Sequence, residues 1–424
     1  MKLSAKTLPL FLFAFLLASP VAAAEKRVTV HNPSGVMPSG RYVDEMLKES
    51  MLSQDMTRPV KANEFPKTPT ETVVIRNDEL AEINLLFYER GWTDGLPIVP
   101  PTPERVRAML TGADISGDFV VANLDPLNGQ ATIEKIAINA VMAGCEPKHM
   151  PVLVAAVELA ARSEFDLRGW GTTTNPDAAL MILSGPIVKD LDINDGTNTF
   201  GRGWKSNATL SRAMHLIFQN IGGSWPGVTD MSTMGQPGEF VMLFAENAAA
   251  NPWLPYHTAL GMPAGANVVT LAAVEGYSGI LGIGQSREGF LKLIASWLKG
   301  HDRPYRNTVL LVVAQDTAMM LAKEGWTRES IIAFIKEHAK VPLREFKEQF
   351  IDTNMAKKGV PTWVFREENL DTLVPKPFLD KLLIIVAGGT GEKSMILPCW
   401  VAGEPVSSTI RLPANWKALT SSGR

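Results

Sequence analysis

Several short segments of this chain are apolar almost without interruption: Ala179–Leu183, FVMLFA at 240–245, NVVTLAAVEG at 267–276, TVLLVVA at 308–314 and LLIIVAGG at 382–389. A strand with one wet face alternates apolar and polar residues, so a strand apolar throughout must be covered on both faces. Helical patterns separate these runs, at 80–90, 102–110, 132–145, 151–162, 208–221, 290–298, 316–323 and 328–340. The alternation predicts an α/β fold of two mainly parallel-sheet halves with helices on both faces.

The N-terminus carries a different signal. Lys2 and Lys6 precede an apolar run from Leu8 to Ala18, and Ala22, Ala23 and Ala24 form a small-residue cleavage site. Residues 1–24 are therefore expected to be a signal peptide, too short in its apolar part to remain as an anchor. The mature protein is expected to be periplasmic or secreted, with no membrane anchor. Residues 25–75 have weak periodicity and read as an extended arm, with a short helical possibility at Val43–Leu52. Residues 76–250 and 251–424 read as a first and a second α/β domain, divided in the Pro- and Asn-rich stretch 247–266. Gly-Trp pairs begin at 91, 169, 203 and 325, and YERGWTDG at 88–95 echoes AKEGWTRE at 322–329. The echo hints at related halves without a full repeat.

A formal charge of -3 and a pI near 6.1 provide no electrostatic footprint for nucleic acid. The two cysteines, Cys145 and Cys399, are too far apart for a CxxC motif and leave a free thiol, one long-range disulfide or a catalytic thiol open. Six isolated histidines form no metal-binding pattern, so no metal centre is expected. His215, in an apolar helix, reads as a core residue. Neither GIGQSR at 282–287 nor GGTGEKS at 388–394 completes a nucleotide-binding motif, and no GxSxG elbow occurs, which leaves the cofactor unknown.

The densest local signal is GWTDGLPIVPPTPERV at 91–106. Asn77 or Asp78 can cap a helix that Gly91 ends, and Thr102 with Pro103 can start the next. Between them Asp94 sits in a stiff turn, where partial desolvation would raise a carboxyl pKa toward a useful range. Asp94, Glu246, Glu275 and His257 are the acid–base candidates; for Asp94 the plainer reading is a turn hydrogen bond. The run GRGWKSNATLSR at 201–212 reads as an anion site. Gly201 and Gly203 let the backbone approach a ligand, Asn207 caps a helix, and Arg202, Lys205 and Arg212 supply charge. The plainer reading is a solvated loop whose cations pair with Asp190, Asp192 and Asp195. Thr173 and Asn175, in TTTNP, can orient a polar ligand or simply close a turn. Glycines at the strand exits 184–186, 275–284 and 387–394 are expected to mark the ligand crevice, as the carboxyl ends of parallel strands do.

Taken together, GWTDGLPIVPPTPERV, ATIEKIAINAVMAGCEPKHMPVLVAAVELA and GRGWKSNATLSRAMHLIFQNIGG resemble uncharacterised bacterial proteins associated with, or fused to, the UGSC type of thiol or selenol proteins. The resemblance extends over residues 80–400. It implies a shared α/β scaffold with a site built from the matched loops and, by association alone, a link to redox chemistry; the UGSC motif is absent here. The resulting expectation is an exported enzyme acting on a small anionic molecule, of unresolved reaction class and oligomeric state. The alternatives are a periplasmic solute-binding protein for a small anion and a scaffold subunit of a redox complex.

Overall fold

The computed structural model describes residues 26–33, 70–75, 78–300, 308–348, 362–375 and 381–421. The expected signal peptide at 1–24 and the helical possibility at Val43–Leu52 lie outside the described residues. Strands are numbered along the chain: β1 (Lys26–His31), β2 (Thr70–Ile75), β3 (Val120–Leu124), β4 (Gly129–Thr132), β5 (Ala178–Ser184), β6 (Leu243–Ala245), β7 (Val268–Val274), β8 (Ser278–Leu281), β9 (Thr308–Val313), β10 (Lys340–Pro342), β11 (Leu373–Pro375), β12 (Lys381–Val386), β13 (Lys393–Pro398) and β14 (Val406–Thr409). Two four-stranded sheets dominate, ordered β14-β7-β5-β6 and β12-β9-β13-β8.

The protein is α/β, but its sheets are mixed rather than mainly parallel. Among the described residues of these two sheets, β5–β6 and β9–β12 run parallel, while β5–β7, β7–β14, β9–β13 and β13–β8 are antiparallel. The reason lies in how the sheets are covered. Their inner faces meet, so Leu180, Ile182, Phe244 and Val274 share one buried cluster with Leu310, Val312, Ile385 and Leu397. On the outer faces, Ala179, Met181 and Leu183 pack against the helices Ile133–Ala143, Met150–Ala160 and Lys205–Ile217. Val309, Leu311 and Val313 pack against Arg287–Gly300, Gln315–Lys323 and Arg328–His338. The result is four layers, helix, sheet, sheet and helix. Both parities of each central strand are buried, at about 1.5–3 kcal/mol for each large aliphatic side chain. Full coverage makes a strand apolar at every position whatever its direction, so the runs report burial and not polarity.

Strand order also crosses the boundary at 250/251. β7, from the second segment, lies between β14 and β5 in the same sheet as β6. The arm is tied down at both described ends: β1 pairs with β2, His31 N–H donates to the Pro101 carbonyl at 3.0 Å, and Val30 is fully buried.

Helix signals at the amino side of the fold follow local chemistry. The Asp78 carboxylate accepts from the Leu80 and Ala81 N–H groups, and Thr102 and Thr132 cap the two helices that follow them. Gly91 (φ 67°) turns the chain out of Glu79–Glu89 and sends Trp92 into the core edge-on against Phe87. Asn207 departs from its expected role. The helix begins earlier, at Lys205, and Asn207 is buried within it, where its carbonyl oxygen accepts from Asn194 N–H at 2.9 Å.

Candidate functional site

A cavity of about 590 Å³ opens beside the first residues of β5, built from the 91–96 turn, the end of the Lys205–Ile217 helix and the loops 224–230 and 236–240. The GWTDG turn is clamped from below. After Ile217 the helix widens into a π turn, Phe218–Gly222, and Gln219 Nε2 donates to the carbonyls of Gly91 and Thr93, both at 2.9 Å. Asn220 Nδ2 donates to Trp92 O at 3.0 Å and to Asn139 Oδ1 at 2.8 Å. A π turn of this kind re-aims side chains, and here it delivers Phe218 and Gln219 to the cavity wall.

Asp94 lines the cavity, but its oxygens are committed. Arg212 Nε donates to Oδ2 at 2.7 Å and Nη2 to Oδ1 at 2.8 Å, while Leu96 N–H donates to Oδ1 at 3.1 Å. The two side chains are only 10% and 14% exposed, so the fork is mostly withdrawn from solvent. It fixes the turn to the helix, and a carboxylate engaged in this way is poorly placed to take a proton from a ligand. His215 is fixed as well. Its Nε2 accepts the Ala179 N–H at 3.3 Å and its Nδ1 lies 3.0 Å from the Ser211 carbonyl, which assigns the proton to Nδ1. Burial pushes its pKa down to about 4, and the ring stays neutral at the head of β5.

The other carboxyls on the wall are Asp177, Asp230 and Glu239. Burial lifts Asp230 above the ordinary carboxylate range. Glu239 is raised mainly by burial as well, with the charge of Asp230 adding to the effect. Each has one oxygen anchored by backbone: Ser232 N–H donates to Asp230 Oδ1 at 2.9 Å and Gln236 N–H to Glu239 Oε1 at 2.8 Å. Trp170, Phe218, Trp225 and Phe240 supply the aromatic faces. No lysine or arginine is among the described residues lining the cavity.

The cations expected to gather at 201–212 do not converge there. Arg202 is exposed; Lys205 donates to Glu146 at 2.6 Å instead of to the aspartates at 190–195; Arg212 is held by Asp94. Lys205 is the leading cause of the Glu146 pKa falling to about 2, with Lys148 also contributing. Thr173 and Asn175 form a turn beside the cavity, with Asn175 N–H donating to Thr173 Oγ1 at 3.2 Å, and this turn leads directly into Asp177.

Glu246 and His257 sit at the opposite end of β5 and β6. Glu246 is buried, with Oε1 accepting from Tyr256 N–H at 2.7 Å and Asn251 Nδ2 at 2.8 Å, and Oε2 accepting from Ser184 Oγ at 3.2 Å. His257 Nδ1 lies 3.9 Å from Glu246 Oε2, and neither ring nitrogen makes a hydrogen bond. Glu275 follows β7 at the cavity end, beside the Val274 carbonyl that accepts from Gln236 Nε2 at 2.8 Å. The structure therefore divides the acid–base candidates between two ends of a sheet.

Both cysteines are free thiols. Burial pushes Cys145 up to about 12, its Sγ donating to the Thr209 carbonyl, and burial also raises Cys399. Neither is placed to act as a thiolate nucleophile. Among the described residues, no helix is long and apolar enough to cross a membrane.

No family model and no curated protein matches this chain. The site must be judged on its own geometry. Sequence reasoning missed Asp177, Asp230, Glu239 and Trp225, although each stands in a Pro- or Gly-containing loop: NPD, SWPGVTD and QPGEF. That loop chemistry was the available signal.

Proposed function

We propose that the protein is an exported enzyme, periplasmic or secreted, that performs acid–base chemistry on a small molecule bound in the cavity at the amino end of β5. The observation that carries this reading is the pair Asp230 and Glu239, two carboxyls on one cavity wall whose pKa values burial raises toward the range useful for proton transfer. Asp94 and Arg212 hold the turn that shapes the wall, and the aromatic residues exclude water and supply binding area. The volume is that of a small-molecule site. The resemblance to UGSC-associated proteins supports the same location, because GWTDG and FQNIGG border it. A redox role has less support, since both thiols are held protonated by burial.

A solute-binding protein that closes about a hinge is the weaker reading. The continuous inner layer shared by the two sheets favours one fused body over two lobes. Turnover across a small-molecule library, followed by mass spectrometry, tests the proposal. Glu239→Gln and Asp230→Asn retain the backbone-anchoring oxygens and are expected to lower turnover by roughly 10²–10⁴-fold while the protein stays folded. Undiminished turnover in both variants would sink the acid–base assignment.

A further inference from the structure

The walls of this cavity also restrict what can occupy it, an argument that rests on the cavity being the functional site. Asp94, Asp177, Asp230 and Glu239 place four acidic side chains around it. Arg212, which reaches Asp94 on the wall, has its fork taken by that carboxylate, and His215 has both nitrogens engaged by backbone and stays neutral. An anion entering here would meet carboxyls without a free partner of opposite charge. Aromatic rings cover much of the remaining wall, and the negative face of an indole or phenyl ring attracts a cation.

Trp170 adds a firmly held ring to this wall: it is 7% exposed and packs edge-to-face on Phe165 and Phe218. We propose that the cavity binds a small organic cation, an alkylammonium compound, with its charged head between the aromatic faces and the Asp230 and Glu239 carboxyls. The ammonium group supplies the charge that the wall lacks.

Choline and its neutral isostere 3,3-dimethyl-1-butanol separate charge from shape and carry the same hydroxyl. Phosphocholine adds a phosphate and separates a free ammonium alcohol from a phosphorylated headgroup. Titration of the mature protein by calorimetry, with intrinsic tryptophan fluorescence in parallel, is expected to show choline binding about tenfold more tightly than the neutral alcohol. Phosphocholine is expected to bind more weakly than choline, because its phosphate meets the acidic wall. The double variant Asp230→Asn/Glu239→Gln should remove the choline preference and leave the alcohol almost unchanged, and Trp225→Ala should weaken both. Equal or tighter binding of the neutral alcohol, still lost in Trp225→Ala, overturns the cationic assignment and leaves the cavity as the site. Absence of saturable choline binding overturns the cationic assignment as well. Binding that is indifferent to both the Trp225 and the Glu239 substitutions overturns the cavity reading with it.

Discussion

The two ends of β5 use similar residue types for different purposes. At its carboxyl end, Ser184, Glu246 and the glycine exits of β5 and β12 are packed together. Asn247 N–H donates to the Val386 carbonyl at 2.8 Å, and Gly388 N–H to the Asp195 carbonyl at 2.8 Å. At its amino end, Asp177 and His215 open onto a cavity whose walls come from helix ends and Pro/Gly loops. The rule that ligands gather at the carboxyl ends of strands belongs to open parallel sheets, and antiparallel β7 and β13 remove its premise here. Of the strand-exit glycines, Gly185 and Gly389 mark close packing, whereas Gly276, Gly284, Gly388 and Gly391 have open space where a Cβ would stand. The open site is marked instead by carboxyls and tryptophans in the loops across the sheet.

The largest expected effect tests the packed end. A Cβ at Gly185, where φ is +93°, would lie 2.0 Å from the Ala266 carbonyl oxygen, and one at Gly389 would lie 2.1 Å from Thr197 Oγ1. Gly185→Ala should cost about 3 kcal/mol or more in a denaturant melt, and Gly389→Ala somewhat less, since Gly185 adds a positive φ to its backbone clash. Near-native stability in both would mean that these glycines are free for ligand approach after all.

At the open end, Arg212→Met should cost about 3 kcal/mol, because it leaves the Asp94 carboxylate mostly buried without its partner. Adding Asp94→Asn should recover part of that loss, and an additive double-mutant cycle would contradict the clamp.

Acid should destabilise the protein through its neutral histidines. Both His215, with its pKa lowered to about 4, and His149, lowered to about 3, are held down mainly by burial. Below their unfolded pKa of 6.5 the unfolded chain takes up protons that the folded chain refuses. Their contribution is complete above pH 6.5 and is lost as pH falls toward 4 and then 3. The raised pKa values of Asp230 and Glu239 work in the opposite direction, since protonation of these carboxyls favours the fold, so they partly offset this slope. Thermal melts across this range should show the decline, and His149→Gln should make it shallower; an unchanged slope would move the acid sensitivity elsewhere.

The smallest effect is expected at the surface. Lys205, 60% exposed and paired with Glu146, should cost less than about 0.5 kcal/mol on Lys205→Met, and Arg202→Ala should be neutral within measurement.

The legible parts of the fold were those set by local chemistry. Asp78, Thr102 and Thr132 cap helices where their side chains meet the first free N–H groups, and the apolar runs identified the central strands. Strand direction was not legible, because burial on both faces erases the alternation that would distinguish an antiparallel strand. Asn207 looked like a cap because Asn is a good one, but the helix starts at Lys205 and the side chain bridges to Asn194 across the fold. In the site, Asp94 could be picked out from its stiff turn, while its partner Arg212 came from a helix more than a hundred residues later in the chain. β8, β13 and β14 lack long apolar runs and were missed, and with them the antiparallel partners of β9 and β7.

The most direct measurement compares the two ends with one ligand. A thermal-shift screen of small amines, alcohols, carboxylates and phosphates against the protein yields a stabilising compound, which is then tested on Trp225→Ala and Glu239→Gln at the open end and on Ser184→Ala and His257→Gln at the packed end. The account predicts that the shift disappears in the first pair and persists in the second. Loss of the shift in Ser184→Ala and His257→Gln, with its retention in the cavity variants, would place the site at the carboxyl end of β5 and contradict the account.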